Sequence, residues 1–156
     1  MIVVSDTSPI NYLVLIEEID LLPKLFGQVI IPPAVAVELQ NAGTPGIVRD
    51  LIVSSPEWLK IQKPSSVDLS IALGAGEREV ISLTKEMNAD LALIDDRKAR
   101  KIAIGHGLNV TGTLNILESA AKRRMIDPKL AFQKLKQTNF RIAPELLKNI
   151  FTKNQL

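Results

Sequence analysis

Short runs of uninterrupted apolar residues recur along the chain: Ile2-Val3-Val4, Val29-Ile30-Ile31 and Leu91-Ala92-Leu93-Ile94. They lack polar alternation and the first two are β-branched, the pattern of strands buried on both faces of a parallel sheet. Asn109-Val110 reads as a shorter fourth strand, and Trp58 to Ile61, bounded by Pro56 and Pro64, as an edge strand with Trp58 packing rather than binding. Helical spacing fills the intervals. The first helix is expected over Pro9–Ile16, with Ser8 as N-cap and Pro9 at the first helical position. Others are expected over Leu21–Phe26, Pro33–Asn41, Ile47–Val53, Glu77–Met87, Arg97–Gly105 and Leu114–Arg124, the last capped by Thr111-Gly112-Thr113. Two amphipathic helices follow, Pro128–Phe140 and Pro144–Thr152. Strands alternating with helices predict an α/β fold: a three-layer αβα sandwich around a central, mostly parallel sheet of four or five strands, with right-handed crossovers.

Against this frame the placement of acids changes the picture. Asp6 directly follows the first strand run, and Asp95-Asp96 directly follow the third. Parallel strands deliver their carboxyl ends to one rim, where ligands bind in open α/β sheets. Ala34, Val35, Glu38 and Leu39 stand at i, i+1, i+4 and i+5, which sets Glu38 on the apolar stripe of its helix. Glu77 precedes Val80, Ile81 and Thr84 by three, four and seven residues and shares their stripe, whereas Glu79 aligns with Leu83 and Glu86 on another face. Right-handed winding can bring these acids to a single rim. Clustered carboxylates repel one another and resist burial unless a cation compensates them. An all-oxygen donor set points to Mg²⁺ or Mn²⁺ rather than zinc. Two such ions, ~3.5–4 Å apart, activate water and stabilise the leaving oxygen in an in-line attack on a phosphodiester. The bland reading of the same residues is caps and surface charge; Glu77, in a helix's first turn, is favoured there by the helix dipole alone.

Composition narrows the class without fixing the chemistry. At 156 residues, 46% hydrophobic and 23% charged, the chain fits one soluble domain, with a core over about residues 1–124 and a basic helical extension over about 125–156. It has no cysteine, which excludes disulfides, thiolate metal sites and cysteine nucleophiles. No apolar run approaches the ~18 residues that span a bilayer, and no basic leader opens the chain, so a cytoplasmic protein without a membrane partner is expected. The net charge of +2 conceals an asymmetry: residues 1–120 carry ten Lys/Arg against fifteen Asp/Glu, and residues 121–156 nine against two. An acidic body and a basic C-terminal segment suggest a cation site in the first and a polyanion contact in the second. His106, the only histidine, lies in Gly105-His106-Gly107 and reads as part of a turn.

The ordered set Asp6-Thr7-Ser8-Pro9, Ile31-Pro32-Pro33 leading to Glu38, Gly76-Glu77, Leu93-Ile94-Asp95-Asp96-Arg97 and Val110-Thr111-Gly112-Thr113 resembles the PIN-domain ribonucleases, in particular a prokaryotic PIN-like branch. The resemblance spans residues 1 to about 124. It implies a PIN-like fold and Mg²⁺- or Mn²⁺-dependent cleavage of RNA. It also implies a homodimer and, as in VapC-type toxins, a toxin role beside a small antitoxin protein. Asp6, Glu38, Glu77 and Asp95 match the four family carboxylates in order, with Asp96 the rival for the fourth place. Ser8, Arg97, Thr111 and Thr113 stand as candidates for contacting substrate, although Ser8 and Thr113 also read as helix caps. The chain departs from the family pattern at Ser8, where many members have Asn, and at Glu77, where the acid is often Asp. The alternative is a catalytically quiet PIN-like module that binds nucleic acid or protein. A haloacid-dehalogenase-like phosphatase is set aside because position 8 is Ser rather than the second Asp of its motif, and a receiver domain because the acidic pair comes late, at 95–96.

Overall fold

The structure, a computed structural model, describes residues 1–156. In chain order the elements are β1 (Val3–Ser5), α1 (Thr7–Leu15), α2 (Leu21–Phe26), β2 (Val29–Ile31), α3 (Pro33–Leu39), α4 (Gly46–Ser54) and β3 (Leu59–Ile61). They continue with α5 (Ala75–Glu86), β4 (Leu91–Leu93), α6 (Arg97–Gly105), β5 (Val110–Thr111), α7 (Thr113–Lys122), α8 (Pro128–Lys136) and α9 (Pro144–Asn154). The strand runs fall where the apolar pattern puts them, and β1 and β2 are buried along their whole length.

All five strands are parallel, in the order β3-β2-β1-β4-β5. Successive strands step outward from β1 through β2 to β3; the chain then returns past them to β4, beside β1, and continues to β5. Right-handed crossovers therefore send the helices connecting β1, β2 and β3 to one face, and α5 and α6, which connect β3 to β4 and β4 to β5, to the other. Consistently, α5 packs on β1 and β4 and α6 on β5, while α2 lies on β2; α7, which follows the last strand, returns against α1 and α2 and also meets α8. The reversal of order between β1 and β4 makes their carboxyl ends the topological switch point, where such sheets open a crevice. Register fixes what reaches it: Ser5 is paired with Leu93, and the Asp6 N–H donates to the Leu93 carbonyl at 2.9 Å.

Several element ends differ from the sequence reading. α1 begins at Thr7, so Asp6 and not Ser8 is the N-cap, with extended backbone (φ −79°, ψ 176°). Pro9 is then the third helical residue, tolerated because first-turn N–H groups have no helical partner to lose. α3 stops at Leu39, α5 starts two residues early behind Gly74, and α8 ends at Lys136 rather than Phe140. β5 is Val110–Thr111, and Gly112 caps α7, so Thr113 is its first helical residue.

The buried apolar set runs without a break from Val3 on β1 to Ile150 on α9. Phe132, 2% exposed, sits in it edge-on to Phe151 with ring centroids 5.4 Å apart. Truncating Phe132 to Ala would cost roughly 3–5 kcal/mol. Polar clasps add to this seam: the Tyr12 hydroxyl donates to Asn139 Oδ1 at 2.7 Å, Lys134 Nζ meets Glu17 at 2.9 Å, and Asn154 Nδ2 donates to Glu118 Oε1 at 2.7 Å. The basic C-terminal segment is thus packed onto the rest of the chain.

Candidate metal centre

Asp6 stands at the centre of the rim. It is 6% exposed and its side chain caps nothing, although it occupies the N-cap of α1. Burial pushes its carboxyl up to about 7; the neighbouring Thr7 N–H opposes the rise, and the negative fields of Glu77, Glu38 and Asp95 add to it. Acids from three other chain segments therefore lie close enough to Asp6 to act on its charge.

Glu38 comes from the last turn of α3. Its apolar neighbours Val35 and Leu39 are buried, but Glu38 itself is exposed, on the solvent edge of the stripe rather than inside it. The Thr7 hydroxyl donates to Glu38 Oε2, joining the first turn of α1 to the end of α3. On the other side α5 comes so close that a Cβ added at Gly76 would lie 2.5 Å from Glu38 Oε1. Only glycine leaves the carboxylate that space. Glu77, the next residue, is half-buried, and its Oε2 is a buried oxygen with no hydrogen-bond partner. Burial first, then Asp96 and Glu38, hold its carboxyl above the usual range, with Lys98 opposing them. Glu79 faces elsewhere: its Oε1 accepts from the Ala34 N–H at 3.3 Å, tying α5 to the start of α3.

At the end of β4 the two adjacent acids separate their roles. Asp96 is the N-cap of α6, its Oδ2 accepting from the Ala99 N–H at 2.9 Å. Asp95 turns the other way and is held by Thr113, whose N–H reaches Oδ1 and whose hydroxyl reaches Oδ2, each at 2.7 Å. Burial raises the Asp95 carboxyl above its usual range, against the lowering effect of both Thr113 bonds and the Arg100 guanidinium. Arg100 Nη1 also donates to the Ile94 carbonyl at 3.2 Å. Gly112 makes this possible, since a Cβ there would stand 2.6 Å from Arg100 Nη1 and 2.7 Å from Asp95 Oδ1.

The rim therefore gathers Asp6, Glu38, Glu77 and Asp95, with Asp96 at its margin; no three of these carboxylates close into a ligand group in this arrangement. The donors nevertheless suit a hard divalent cation: they are all oxygen, Glu77 offers a buried lone pair no protein donor uses, and the Asp6 carboxyl, pushed up by burial first and then by the neighbouring acids, would be relieved by a positive charge. Of the remaining candidates, Thr113 is buried and serves Asp95, and Ser8 lies half-buried in the first turn of α1. Arg97 shares a groove with Asp95, whereas Thr111 lines a separate cleft with Met1, Leu91 and Arg123. Thr7, Gly76 and Gly112 stand in the sequence motifs without a role at the site, and Arg100 was not singled out at all. Arg100 was the most findable, one helical turn after Arg97 on α6.

A family model described as PIN domain matches residues 2–155. No curated protein sequence matches the chain. Among solved structures, a PilT N-terminus domain protein from the hyperthermophilic archaeon Sulfolobus solfataricus superposes with a TM-score of 0.57 at 17% identity, over 77% of this chain and 93% of that one. At that identity the likeness is one of fold.

Proposed function

This chain belongs to the PIN-domain family, and from that premise we propose that it is a divalent-cation-dependent ribonuclease hydrolysing phosphodiester bonds of RNA. The observation that carries the reading is the buried Asp6, whose carboxyl is held up to about 7 by burial and by three other acids from distant parts of the chain. Such a cluster is costly to ionise unless positive charge joins it. Asp6, Glu38, Glu77 and Asp95 would hold the cation, Mg²⁺ or Mn²⁺, with Asp96 kept to its cap. When bound, the cation supplies a Lewis acid that acidifies water and steadies the departing oxygen.

The protein's own part in the reaction is positioning. Thr7 orients Glu38, Thr113 fixes both oxygens of Asp95, and Gly76 and Gly112 leave the carboxylates room. Arg97, at the edge of Asp95's groove, would meet a phosphate on the incoming strand. In the cell we propose a cytoplasmic toxin restrained by a small antitoxin protein and acting as a homodimer, a role that rests on the family resemblance.

A second reading has one observation in its favour: both Asp95 oxygens are already engaged by Thr113. Under it the chain is a catalytically quiet PIN-like binder. Cleavage of single-stranded RNA with Mn²⁺ separates the two. Wild type should cut and Asp6→Asn should not; equal activity in both would end the ribonuclease proposal.

A further inference from the structure

A groove of about 810 Å³ opens from Asp95 along the seam between α6, α7 and α9. That volume is near the upper end of the ~300–1,000 Å³ typical of ligand clefts, and holds more than a single phosphate group. Its cationic lining is Arg97 and Arg100 from α6, Arg141 from the α8–α9 connection and Lys153 from α9. Arg97, Arg141 and Lys153 are exposed, and neither ion pair of the structure involves any of the four. The acids that share the groove are already engaged, Asp95 by Thr113 and Glu118 by Asn154 and Lys122. Arg100 faces Asp95 and the Ile94 carbonyl, whereas the charges of Arg97, Arg141 and Lys153 are left without an internal counterpart.

Apolar surfaces share the lining with the cations. Phe140 packs edge-on against Tyr12, centroids 4.8 Å apart and planes at 84°, and Leu146 is 46% exposed. Cationic side chains in one groove with an aromatic and an aliphatic one suit a ligand with a charged backbone and flat apolar faces. A duplex hides its base faces and would use only the charges.

We infer that this groove is a track for single-stranded RNA, walled on one side by the α8–α9 connection and α9 and leading the strand to Asp95. The inference rests on the ribonuclease reading for where the track leads. The C-terminal segment's function is then to form one wall of the substrate path, and the seam that docks it, through Phe132, Leu135, Leu147, Ile150 and the Tyr12–Asn139 bond, holds that wall in place.

The test pairs Arg141→Glu with Lys153→Glu in one variant, both exposed positions, with thermal melts to verify folding. Binding of a fluorescein-labelled oligouridylate of about twelve nucleotides is followed by anisotropy in EDTA, so that nothing is cut. The variant should bind at least about tenfold more weakly, with the slope of log Kd against log salt reduced by about 1.4, two phosphates at ~0.7 each. With Mn²⁺, kcat/KM should fall through KM while kcat stays within about twofold. Unchanged affinity and slope would overturn the track. So would a duplex RNA of the same length binding as tightly as the single strand. Displacement of the RNA by an equal concentration of an acidic peptide would assign the groove to a protein partner instead. Asp6→Asn should retain full RNA affinity. A wild type that binds through the groove but cuts nothing would refute the ribonuclease and leave the track standing; cleavage with equal KM in both proteins would refute the track alone.

Discussion

Thr113 holds Asp95 by both oxygens, its backbone N–H on Oδ1 and its hydroxyl on Oδ2, each at 2.7 Å. Thr113 is fully buried, so no water replaces the hydroxyl if it is removed. Thr113→Val keeps the shape and the backbone donor but leaves Oδ2 without its partner, at a cost of about 1–3 kcal/mol. Because the Thr113 hydroxyl bond is one of the interactions that oppose the rise of the Asp95 carboxyl, beside the Thr113 N–H and Arg100, that carboxyl should climb further. Urea denaturation at pH 7 should show the loss, and Thr113→Ser should recover most of it. If valine were as stable as wild type, the bond would have no part in holding the rim.

Asp6 makes the apo protein pH-sensitive in a definite direction. Its carboxyl rises from 3.8 to about 7 on folding, so the folded state binds that proton more tightly than the unfolded one. The contribution is full below about pH 4 and is lost as pH climbs towards about 7. Asp6→Asn has no such proton. In EDTA the stability of wild type relative to Asp6→Asn should therefore fall across that window by up to ~4 kcal/mol and then level off. A difference that is flat, or that grows with pH, would contradict the burial of this carboxyl.

Cation binding must reverse that penalty. Mn²⁺ favours ionised Asp6 and should displace the proton it carries below about pH 7. Calorimetric titrations at pH 6.5 in two buffers of different ionisation enthalpy should differ by that released proton, and the difference should shrink at pH 8. Mn²⁺ at about 100 times its Kd should stabilise wild type by about 2.7 kcal/mol and leave Asp6→Asn nearly unmoved. Equal melting shifts in both would place the ion elsewhere.

The acids at strand ends were legible because the strands are short, apolar and parallel, so whatever follows β1 and β4 must emerge at the switch point. The choice between Asp95 and Asp96 was not. An N-cap is distinguished by one extended residue and a bond to the N–H three positions on, and two adjacent aspartates satisfy that equally until Ala99 picks Asp96. The spacing of Glu38 put it on the buried stripe with Val35 and Leu39, but a stripe has edges, and at the edge the Glu38 side chain is exposed while Leu39 is buried. Thr113 looked like a cap because threonine favours caps; the extended Gly112 took that place and left the hydroxyl for a carboxylate eighteen residues away. The basic tail showed its charge but not its seam, since Tyr12 and Asn139 are 127 residues apart and no local pattern links them.

Two glycine substitutions should part stability from function. Gly76 is in the first turn of α5, where alanine is the better helix former by roughly 0.5–1 kcal/mol. The atom its Cβ would strike is the carboxylate of Glu38, an exposed side chain that can swing away, giving up its bond from Thr7. Gly76→Ala should therefore keep its stability within about 1 kcal/mol. It should lose at least about tenfold in RNA cleavage, because a displaced carboxylate misplaces charge where the reaction needs it fixed. Gly112→Ala meets less yielding neighbours: the backbone carbonyl of Ile94 at 3.1 Å, and Asp95 and Arg100, both anchored. It should cost about 1–3 kcal/mol as well as activity. Melting curves beside cleavage rates decide the point. If Gly76→Ala proved fully active, Glu38 would not need its present position, and the second carboxylate would have to be sought elsewhere on the rim.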